Sequence, residues 1–233
     1  MLGTFLLALV LALSLLGSGR PAAAAEVAAS GEASLAGQAA YRDLSGHWAE
    51  EAVVAASLDG TAYGFADGTF RPDEPVSRLD VAVTSLRTLG LAAAVDAVVD
   101  ATAATGLPLS FTDLGNLDLE SRAAIAVAGA AGLLVGDAGG ETFRPEDGLS
   151  RAETATIIVR ALGLEGEAKA RGEGEAAAEA EAALEARFAD AAGIPAWARG
   201  YVAVALETGL IEGYAEADGR FTFRADRSTS RAE

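Results

Sequence analysis

One pattern occurs three times along the chain, and this repetition limits the possible folds more than any other feature. Each copy opens with an aromatic residue followed by aspartate, continues to a Phe-Arg-Pro or Phe-Arg-Ala triplet, and ends in a Ser-Arg pair. The opening aspartates, the phenylalanines of the triplets and the arginines of the pairs are Asp43, Asp113 and Asp190; Phe70, Phe143 and Phe223; and Arg78, Arg151 and Arg231. Repetition in a constant order with variable connectors predicts three structural units.

The first part of each copy predicts a helix followed by a turn. In the first copy, residues 47–58 place Trp48 and small apolar residues at helical spacing, and Gly60 stands where such a helix ends. Asp67 and Gly68 then suit a tight turn, because glycine accepts positive φ and aspartate bonds its own backbone. The equivalent turns are residues 136–140 and 213–219.

The second part predicts an extended piece and another helix. Arg71 precedes Pro72, which disfavours the helical region, so residues 69–72 are expected to be extended. The Ser-Arg pairs mark helix starts: residues 150–153 and 230–233 match the capping box, and residues 77–80 are a shortened version. The third copy reaches the last residue of the sequence as its second helix should begin.

A two-helix unit leaves an apolar face uncovered, and three such units can cover one another. We therefore expect a mainly α protein of three helix-loop-helix repeats that form a pseudo-trimeric spindle, with short extended segments before the second helices. The expected layout is a signal peptide (1–25), a disordered leader (26–40), repeat one (41–91), a connector (92–110), repeat two (111–164), an Ala/Glu-rich linker, either a solvated helix or flexible (165–187), and an incomplete repeat three (188–233).

The N-terminal segment indicates export. Residues 2–16 form an apolar run that is short for a bilayer span of about twenty residues, and Ala23 and Ala25 suit cleavage before Glu26. A basic segment before the run is missing, so an uncleaved signal anchor remains an alternative. After cleavage we expect a secreted protein at the cell surface with no membrane contact.

The formal charge of −17 argues against nucleic acid and anionic membranes as partners. There is no cysteine, which excludes disulfides and thiolate metal sites. His47 is the only histidine, and the acidic turn at residues 216–219 lacks the ligand pattern of a calcium loop. We therefore expect no enzymatic activity, no metal and no cofactor.

Residues 46–49, 64–72 and 149–153 closely resemble the S-layer homology family, and three ordered copies strengthen the resemblance. It implies a non-catalytic module whose repeats bind secondary cell-wall polysaccharide, often bearing pyruvate ketals, in grooves between them. The family pattern assigns the contact with the acidic sugar to Arg78, Arg151 and Arg231. Departures from the pattern are Leu79-Asp80, the missing tryptophan near residues 116–119, and Ala225, so not every groove need be competent.

The residue chemistry suits this role. An arginine in the first turn of a capped helix offers a planar set of donors beside free amides, which favours a carboxylate. The alternative is that these arginines only pair with acids or pack their stems. By motif quality we rank Arg151 first, Arg78 second and Arg231 last.

Four further residues complete the predicted polysaccharide site. Trp48 and Trp197 begin the first helices of repeats one and three, where we expect core anchors; the alternative is a sugar-stacking platform, and a tryptophan at a groove edge would do both. A fully buried Trp48 would make Trp48→Ala cost about 3 to 5 kcal/mol. Asp67 and Gly68 shape the adjoining turn.

The expected function is non-covalent anchoring of an exported or S-layer protein to the cell wall, with secondary polysaccharide and other S-layer subunits as partners. One alternative is the anchoring region of an exported glycan-degrading enzyme whose catalytic domain lies outside this sequence. Another is self-assembly of an S-layer without sugar binding.

Overall fold

The computed structural model describes residues 41–103, 111–136 and 140–233, so the predicted signal peptide and leader lie outside the described residues. The described part of the chain divides into two compact units. Unit 1 comprises residues 41–74, 78–103, 111–136, 140–146 and 230–233, and unit 2 comprises residues 75–77 and 147–229. The division does not follow the repeats, since each unit contains a short piece of a repeat that lies mostly in the other.

Helices dominate both units, which confirms the prediction of a mainly α repeat protein. The pseudo-trimeric spindle stays a prediction. Unit 1 contains α1 (Glu50–Leu58), α2 (Arg78–Thr88), α3 (Ala92–Thr102) and α4 (Leu119–Ala130). Unit 2 contains α5 (Arg151–Ala161), α6 (Glu165–Arg171), α7 (Gly174–Arg187), a short 3-10 turn (Ala191–Gly193), α8 (Ala196–Glu207) and the antiparallel pair β1 (Tyr214–Ala215) and β2 (Phe221–Thr222).

Helix α1 begins at Glu50, three residues later than the predicted start at His47. The residues before it form a turn in which Gly46 has φ +77° and donates its N–H to the Glu50 carboxylate at 2.8 Å. The His47 ring accepts the Ala49 N–H through Nδ1 at 3.2 Å. These side chains satisfy amides of the turn, so the regular helix starts only after it.

The second helices of repeats one and two start at Arg78 and Arg151, as predicted. The capping box at Ser150 is complete: its Oγ accepts the Glu153 N–H at 3.3 Å, and its N–H donates to the Glu153 carboxylate at 2.9 Å. In the third copy, Ser230 donates its N–H to the Glu233 carboxylate at 3.0 Å. The capping box predicted at residues 150–153 is therefore confirmed.

The predicted extended conformation of Arg71 is wrong. Its φ is +60°, and Arg144 and Arg224 have φ +57° and +59°. Proline is not the cause, because Ala225 follows Arg224 in the third copy. The cause is the opening aspartate of each copy: the Asp43 carboxylate, for example, accepts the Phe70 N–H at 2.9 Å and the Arg71 N–H at 2.7 Å.

The same pair of hydrogen bonds occurs in the other two copies. Asp113 accepts the N–H groups of Phe143 and Arg144, the latter at 2.7 Å, and Asp190 accepts those of Phe223 and Arg224, both at 2.7 Å. Two consecutive N–H groups converging on one carboxylate need the left-handed turn, and the bonds offset its cost of about 1 to 2 kcal/mol.

Short extended segments do precede Arg78, Arg151 and Arg231, the arginines of the Ser-Arg pairs, which we call the motif arginines. These segments lie a few residues after the positive-φ arginines Arg71, Arg144 and Arg224. In unit 2, antiparallel bridges join Ser77 to Gly148 and Ser150 to Ser228. The Val76 N–H also donates to the Thr229 carbonyl at 3.0 Å. One segment from each copy is thus held by backbone hydrogen bonds just before its Ser-Arg pair.

The Ala/Glu-rich stretch 165–187 is not a flexible or fully solvated linker. It forms α6 and α7, which pack against α8 through buried residues that include Ala168 and Leu184. Gly200 of α8 lies so close to α6 that an added Cβ would be 2.1 Å from the Ala168 carbonyl oxygen. Small residues allow this close helix contact, so the low content of large apolar side chains did not indicate exposure.

Each copy contains the same aromatic pair. Tyr41 contacts Phe70, Phe111 contacts Phe143, and Phe188 contacts Phe223, with ring centroids 5.4, 5.5 and 5.6 Å apart. The glycine that opens each turn lies beneath the first ring of its pair; these glycines are Gly64, Gly136 and Gly213. In the first repeat, Phe70 also lies in one buried cluster with Val53 of α1.

Within the described ranges, no single helix combines the length and hydropathy of a membrane span, and the bent pair α2 and α3 passes such a test only when taken together.

Candidate site around the motif arginines

The arginine of each Ser-Arg pair contacts another repeat at the turn that follows the first helix of that repeat. In unit 1, Arg78 donates from Nε to the Phe143 carbonyl and from Nη2 to the Val135 carbonyl, both at 2.7 Å. Its exposed fraction is only 4%. Its guanidinium therefore joins the first repeat to the turn of the second.

Arg231 makes the corresponding contacts with the first repeat, also within unit 1. It donates from Nε to the Phe70 carbonyl and from Nη2 to the Tyr63 carbonyl, both at 2.9 Å. Its Nη1 lies 3.4 Å from the Asp80 carboxylate. Asp80, a departure from the family pattern, thus supplies an ion-pair partner for Arg231.

Asp80 also accepts the Tyr63 hydroxyl at 3.2 Å. Burial and the nearby Asp80 charge together raise the pKa of Tyr63 to about 12. Tyr63 consequently stays neutral and acts as a hydrogen-bond donor throughout the physiological range.

Arg151 is held differently, within unit 2. Its Nη1 donates to the Tyr214 hydroxyl at 2.9 Å, and its guanidinium carbon lies 4.4 Å from the centroid of the Tyr214 ring. The Glu212 carbonyl, which corresponds in sequence to those of Val135 and Tyr63, accepts Nη2 of Arg187 at 2.9 Å. Arg187 therefore occupies the position that the motif arginine occupies in the other two contacts, and Arg151 is directed to the phenol.

Two more arginines surround Tyr214. The guanidinium carbons of Arg224 and Arg227 lie 4.7 and 4.8 Å from its ring centroid, and Arg227 also donates to its hydroxyl. Arg227 is exposed, and Arg151 and Tyr214 are half-buried. We call Arg151, Arg224, Arg227 and Tyr214 the arginine cluster.

The predicted turn residues Asp67 and Gly68 belong to the same turn as Phe65, whose ring contacts Arg231. Arg71 and Arg231 place their guanidinium carbons 3.8 and 4.8 Å from the centroid of the Phe65 ring, and Asp67 pairs with Arg71 at 3.3 Å. Hydrogen bonds from the Thr69 side chain and amide, with help from Arg71, lower the pKa of Asp67 to about 2. Gly68 has φ +78°, as a turn of this kind requires.

Trp48 and Trp197 are not core anchors. Their exposed fractions are 70% and 55%, because each stands at the open N-terminal end of a first helix. The Trp48 ring contacts the His47 ring, and the two ring centroids are 5.4 Å apart. The expected destabilisation by Trp48→Ala therefore does not apply.

Sequence reasoning missed Tyr214, Arg187, Arg224 and Arg227. A signal was present for Arg227, which replaces an acidic residue: Glu74 and Asp147 stand at the corresponding positions of the first two copies. Arg187 carried no such signal, because its relation to the Glu212 carbonyl depends on how α7 packs.

His47, the only histidine, has its Nε2 3.3 Å from Asp73. Across residues 41–103, 111–136 and 140–233, no group of three histidine, cysteine or acidic side chains is arranged to hold a metal ion.

Comparison with known proteins gives a family and several relatives. The S-layer homology domain model matches residues 40–82, 110–155 and 187–233, together more than half of the chain. A surface-layer 125 kDa protein of Lysinibacillus sphaericus is 29% identical over 193 residues, 83% of this chain and 14% of that protein. An S-layer protein of Bacillus licheniformis is 35% identical over 121 residues, 52% of this chain and 12% of that protein.

An amylopullulanase of Thermoanaerobacterium thermosulfurigenes is 26% identical over 173 residues, 74% of this chain and 8% of that enzyme. The chain thus spans a small part of the length of each of these relatives. The three family matches coincide with the three sequence copies, and each match contains one opening aspartate, one triplet and one motif arginine. The chain therefore belongs to the S-layer homology family of cell-surface domains.

Proposed function

We propose that the chain anchors its carrier protein non-covalently to the bacterial cell wall by binding an acidic secondary cell-wall polysaccharide. Family membership and the S-layer relatives support a role in anchoring at the cell surface. The acidic, pyruvylated character of the glycan is part of the proposal. Other S-layer subunits are proposed as further partners.

The observation that carries the proposal is the contact between Arg151 and Tyr214. A guanidinium and a phenol within 2.9 Å, both half-buried, present fixed donors and an aromatic face at the surface of a protein whose overall charge is strongly negative. Arginine binds carboxylates through two parallel N–H donors. A local site for an acidic sugar can therefore exist on an acidic protein.

The three motif arginines are proposed to contribute unequally. Arg78 and Arg231 spend two donors each on backbone carbonyls and are largely buried, with a side-chain exposure of 7% for Arg231. They support the shape of the turns, and Asp67 and Gly68 do the same from within the first turn. We propose Arg151 as the arginine that contacts the ligand directly.

Trp48 and Trp197 are proposed as sugar-stacking surfaces. Both indole rings are exposed, and an indole offers an apolar face to a pyranose ring. Each ring stands at the start of a first helix, so a long glycan could contact a tryptophan in either unit.

A second proposal concerns the cargo. The similarity to an amylopullulanase and to an exoglucanase of Acetivibrio thermocellus, 25% identical over 173 residues, favours the alternative that the carrier is an exported glycan-degrading enzyme. The described residues would still anchor and would not catalyse. Two carriers are possible, an S-layer protein and a glycan-degrading enzyme. Reading the gene beyond the codon for Glu233 distinguishes them by the presence or absence of a catalytic domain.

The experiment that tests anchoring is co-sedimentation of the purified chain with cell walls, before and after chemical removal of the secondary polysaccharide. We expect binding that disappears with the polysaccharide, and about tenfold weaker binding by Arg151→Ala. Arg220→Ala is the matched control, because Arg220 is an exposed arginine of unit 2 that pairs with Asp218. Binding that survives removal of the polysaccharide would contradict the proposal and favour self-assembly.

A further inference from the structure

The first helices of the three repeats begin at different points. Each of them is followed by a glycine with positive φ: Gly60, Gly132 or Gly209. Counted back from this glycine, α4 and α8 begin at the position of His47, whereas α1 begins three residues later. Residues 47–49 therefore form a turn in repeat one, at a place where the other two repeats already have helix.

One backbone N–H near the start of each first helix has a different acceptor in each repeat. In repeat two, the Asp118 carboxylate accepts the Ser121 N–H at 2.7 Å. In repeat three, the Pro195 carbonyl accepts the Ala198 N–H at 2.9 Å. Neither a carboxylate nor a backbone carbonyl turns into a donor near neutral pH, so these two bonds do not depend on a proton.

The corresponding N–H of repeat one, that of Ala49, is bound by the only histidine of the sequence. His47 accepts it through Nδ1 at 3.2 Å, and Ala49 is buried. Because Nδ1 is the acceptor, the proton of the neutral ring is on Nε2, which lies 3.3 Å from the Asp73 carboxylate. The neutral ring thus joins the buried start of α1 to Asp73.

Protonation reverses the role of Nδ1. Both nitrogens of an imidazolium are donors, so the bond to the Ala49 N–H would be lost, and the positive charge would stand close to the N-terminus of α1, where a cation is unfavourable. Two acids are in contact with this turn: Asp73, which is 86% exposed, and Glu50, which binds the Gly46 N–H. An exposed ion pair with Asp73 gains less than a buried N–H loses without its acceptor, so protonation should open the turn.

Trp48 lies in the chain between the two residues that this bond joins. Its ring is 70% exposed, and its centroid is 5.4 Å from that of the His47 ring. Trp197, at the corresponding position of repeat three, follows Ala196, which has no titratable side chain. A change in the charge of His47 should therefore move one tryptophan and leave the other in place.

From these contacts we infer that His47 is a pH-sensitive cap of α1 that controls the orientation of Trp48. Histidine is the side chain whose ordinary change of charge falls between about pH 5 and pH 8. The turn responds to the proton without any ligand. An effect on wall binding rests on the proposed function, in which Trp48 contacts the glycan.

NMR of the chain, purified without a polyhistidine tag, tests the cap directly. Because His47 is the only histidine, its imidazole signals need no assignment. We expect a scalar coupling between the Ala49 and Nδ1 nitrogens, across their hydrogen bond, at about pH 8 and its loss at about pH 5. Hydrogen-exchange protection of the Ala49 N–H should fall at least about tenfold with the midpoint of the imidazole signals, while the Ser121 N–H keeps its protection.

Trp197 and two variants of His47 are the controls. The indole N–H signal of Trp48 should follow the imidazole midpoint, and that of Trp197 should not. His47→Asn keeps an acceptor as many bonds from Cβ as Nδ1 is, but an amide is not protonated in this range, so Ala49 should stay protected. His47→Ala removes the acceptor and should leave the Ala49 N–H unprotected throughout.

Constant protection of Ala49 while the imidazole titrates would overturn the inference, and so would a Trp197 signal with the same midpoint as that of Trp48. Co-sedimentation with cell walls extends the test to function. Wall binding that weakens in acid for the wild-type chain but not for His47→Asn would support the control of Trp48. Wall binding that is unaffected while the Ala49 bond opens would support the cap and contradict the proposed contact of Trp48 with the glycan.

Discussion

Arg78 donates to the backbone carbonyls of Phe143 and Val135, and both bonds are 2.7 Å long. These bonds connect the start of α2 to the turn of the second repeat within unit 1. A residue that the family pattern presents as a ligand contact is thus also part of the internal structure of the unit.

Arg78→Ala should lower the free energy of unfolding by about 3 kcal/mol, because it leaves two carbonyls without their charged donor at a buried position. Arg78→Lys should lose most of the same energy, since an ammonium group cannot reproduce the planar pair of bonds. Urea denaturation measures both. Arg42→Ala is the control: its side chain is 67% exposed, and we expect a change within about 0.5 kcal/mol. Equal effects of Arg78→Ala and Arg42→Ala would contradict the structural role.

Trp48→Ala should reduce wall binding about tenfold while changing the free energy of unfolding by less than about 1 kcal/mol. The ring is 70% exposed, so its removal leaves no cavity. Leu58→Ala is the control on α1, because Leu58 is 64% exposed and is not part of the proposed site. Thermal unfolding together with co-sedimentation separates the two effects, and a large loss of stability would show that the ring is buried in solution.

Gly136→Ala should lower the free energy of unfolding by about 2 to 3 kcal/mol. The added Cβ would lie 2.3 Å from the Phe111 ring and 2.7 Å from the Thr142 carbonyl oxygen, so the aromatic pair of the second repeat would have to move. Gly115→Ala, in the same unit, meets no atom within 4 Å and should be neutral within about 0.5 kcal/mol. If both variants unfold at the same urea concentration, the close packing of the turn glycine against Phe111 is refuted.

Acid should weaken the first turn through Asp67. Its pKa falls from an ordinary value near 3.8 to about 2 on folding, so the folded state favours the ionised carboxylate. The resulting stabilisation is complete above about pH 4 and is lost as the pH falls toward 2. Urea midpoints of the wild-type chain and of Asp67→Asn should therefore differ at pH 5 and approach each other near pH 2. A difference that stays constant over this range would contradict the assignment.

Protonation of Asp43 should also lower the stability of the folded state in acid. Burial by itself raises the pKa of this carboxyl, but the N–H groups of Phe70 and Arg71 outweigh burial and hold the pKa below its ordinary value. Asp43→Asn should keep one acceptor oxygen and lose the charge. Because solvent screens this exposed carboxyl, we expect a loss of no more than about 1 kcal/mol at pH 7, and a smaller loss in acid. Circular dichroism during urea titration, at pH 7 and in acid, measures the difference in the free energy of unfolding between Asp43→Asn and the wild-type chain.

The sequence by itself determined the features that depend on neighbouring residues. Ser150 and Glu153 are three residues apart, so their capping box and the start of α5 follow from local chemistry. The threefold order of aspartate, aromatic triplet and Ser-Arg pair was sufficient to identify the repeats and the family. The motif arginines were also recognised at the sequence level, because they stand next to the caps.

Only the tertiary structure decided the features that depend on residues far apart in the chain. Arg71 takes positive φ because Asp43, 28 residues away, binds its N–H. Arg78 and Arg151 have the same local sequence position, yet one is buried against carbonyls and the other meets Tyr214, because Arg187 takes the equivalent carbonyl in unit 2. Competition between donors for one acceptor depends on the packed positions of all of them, and no local pattern contains that information.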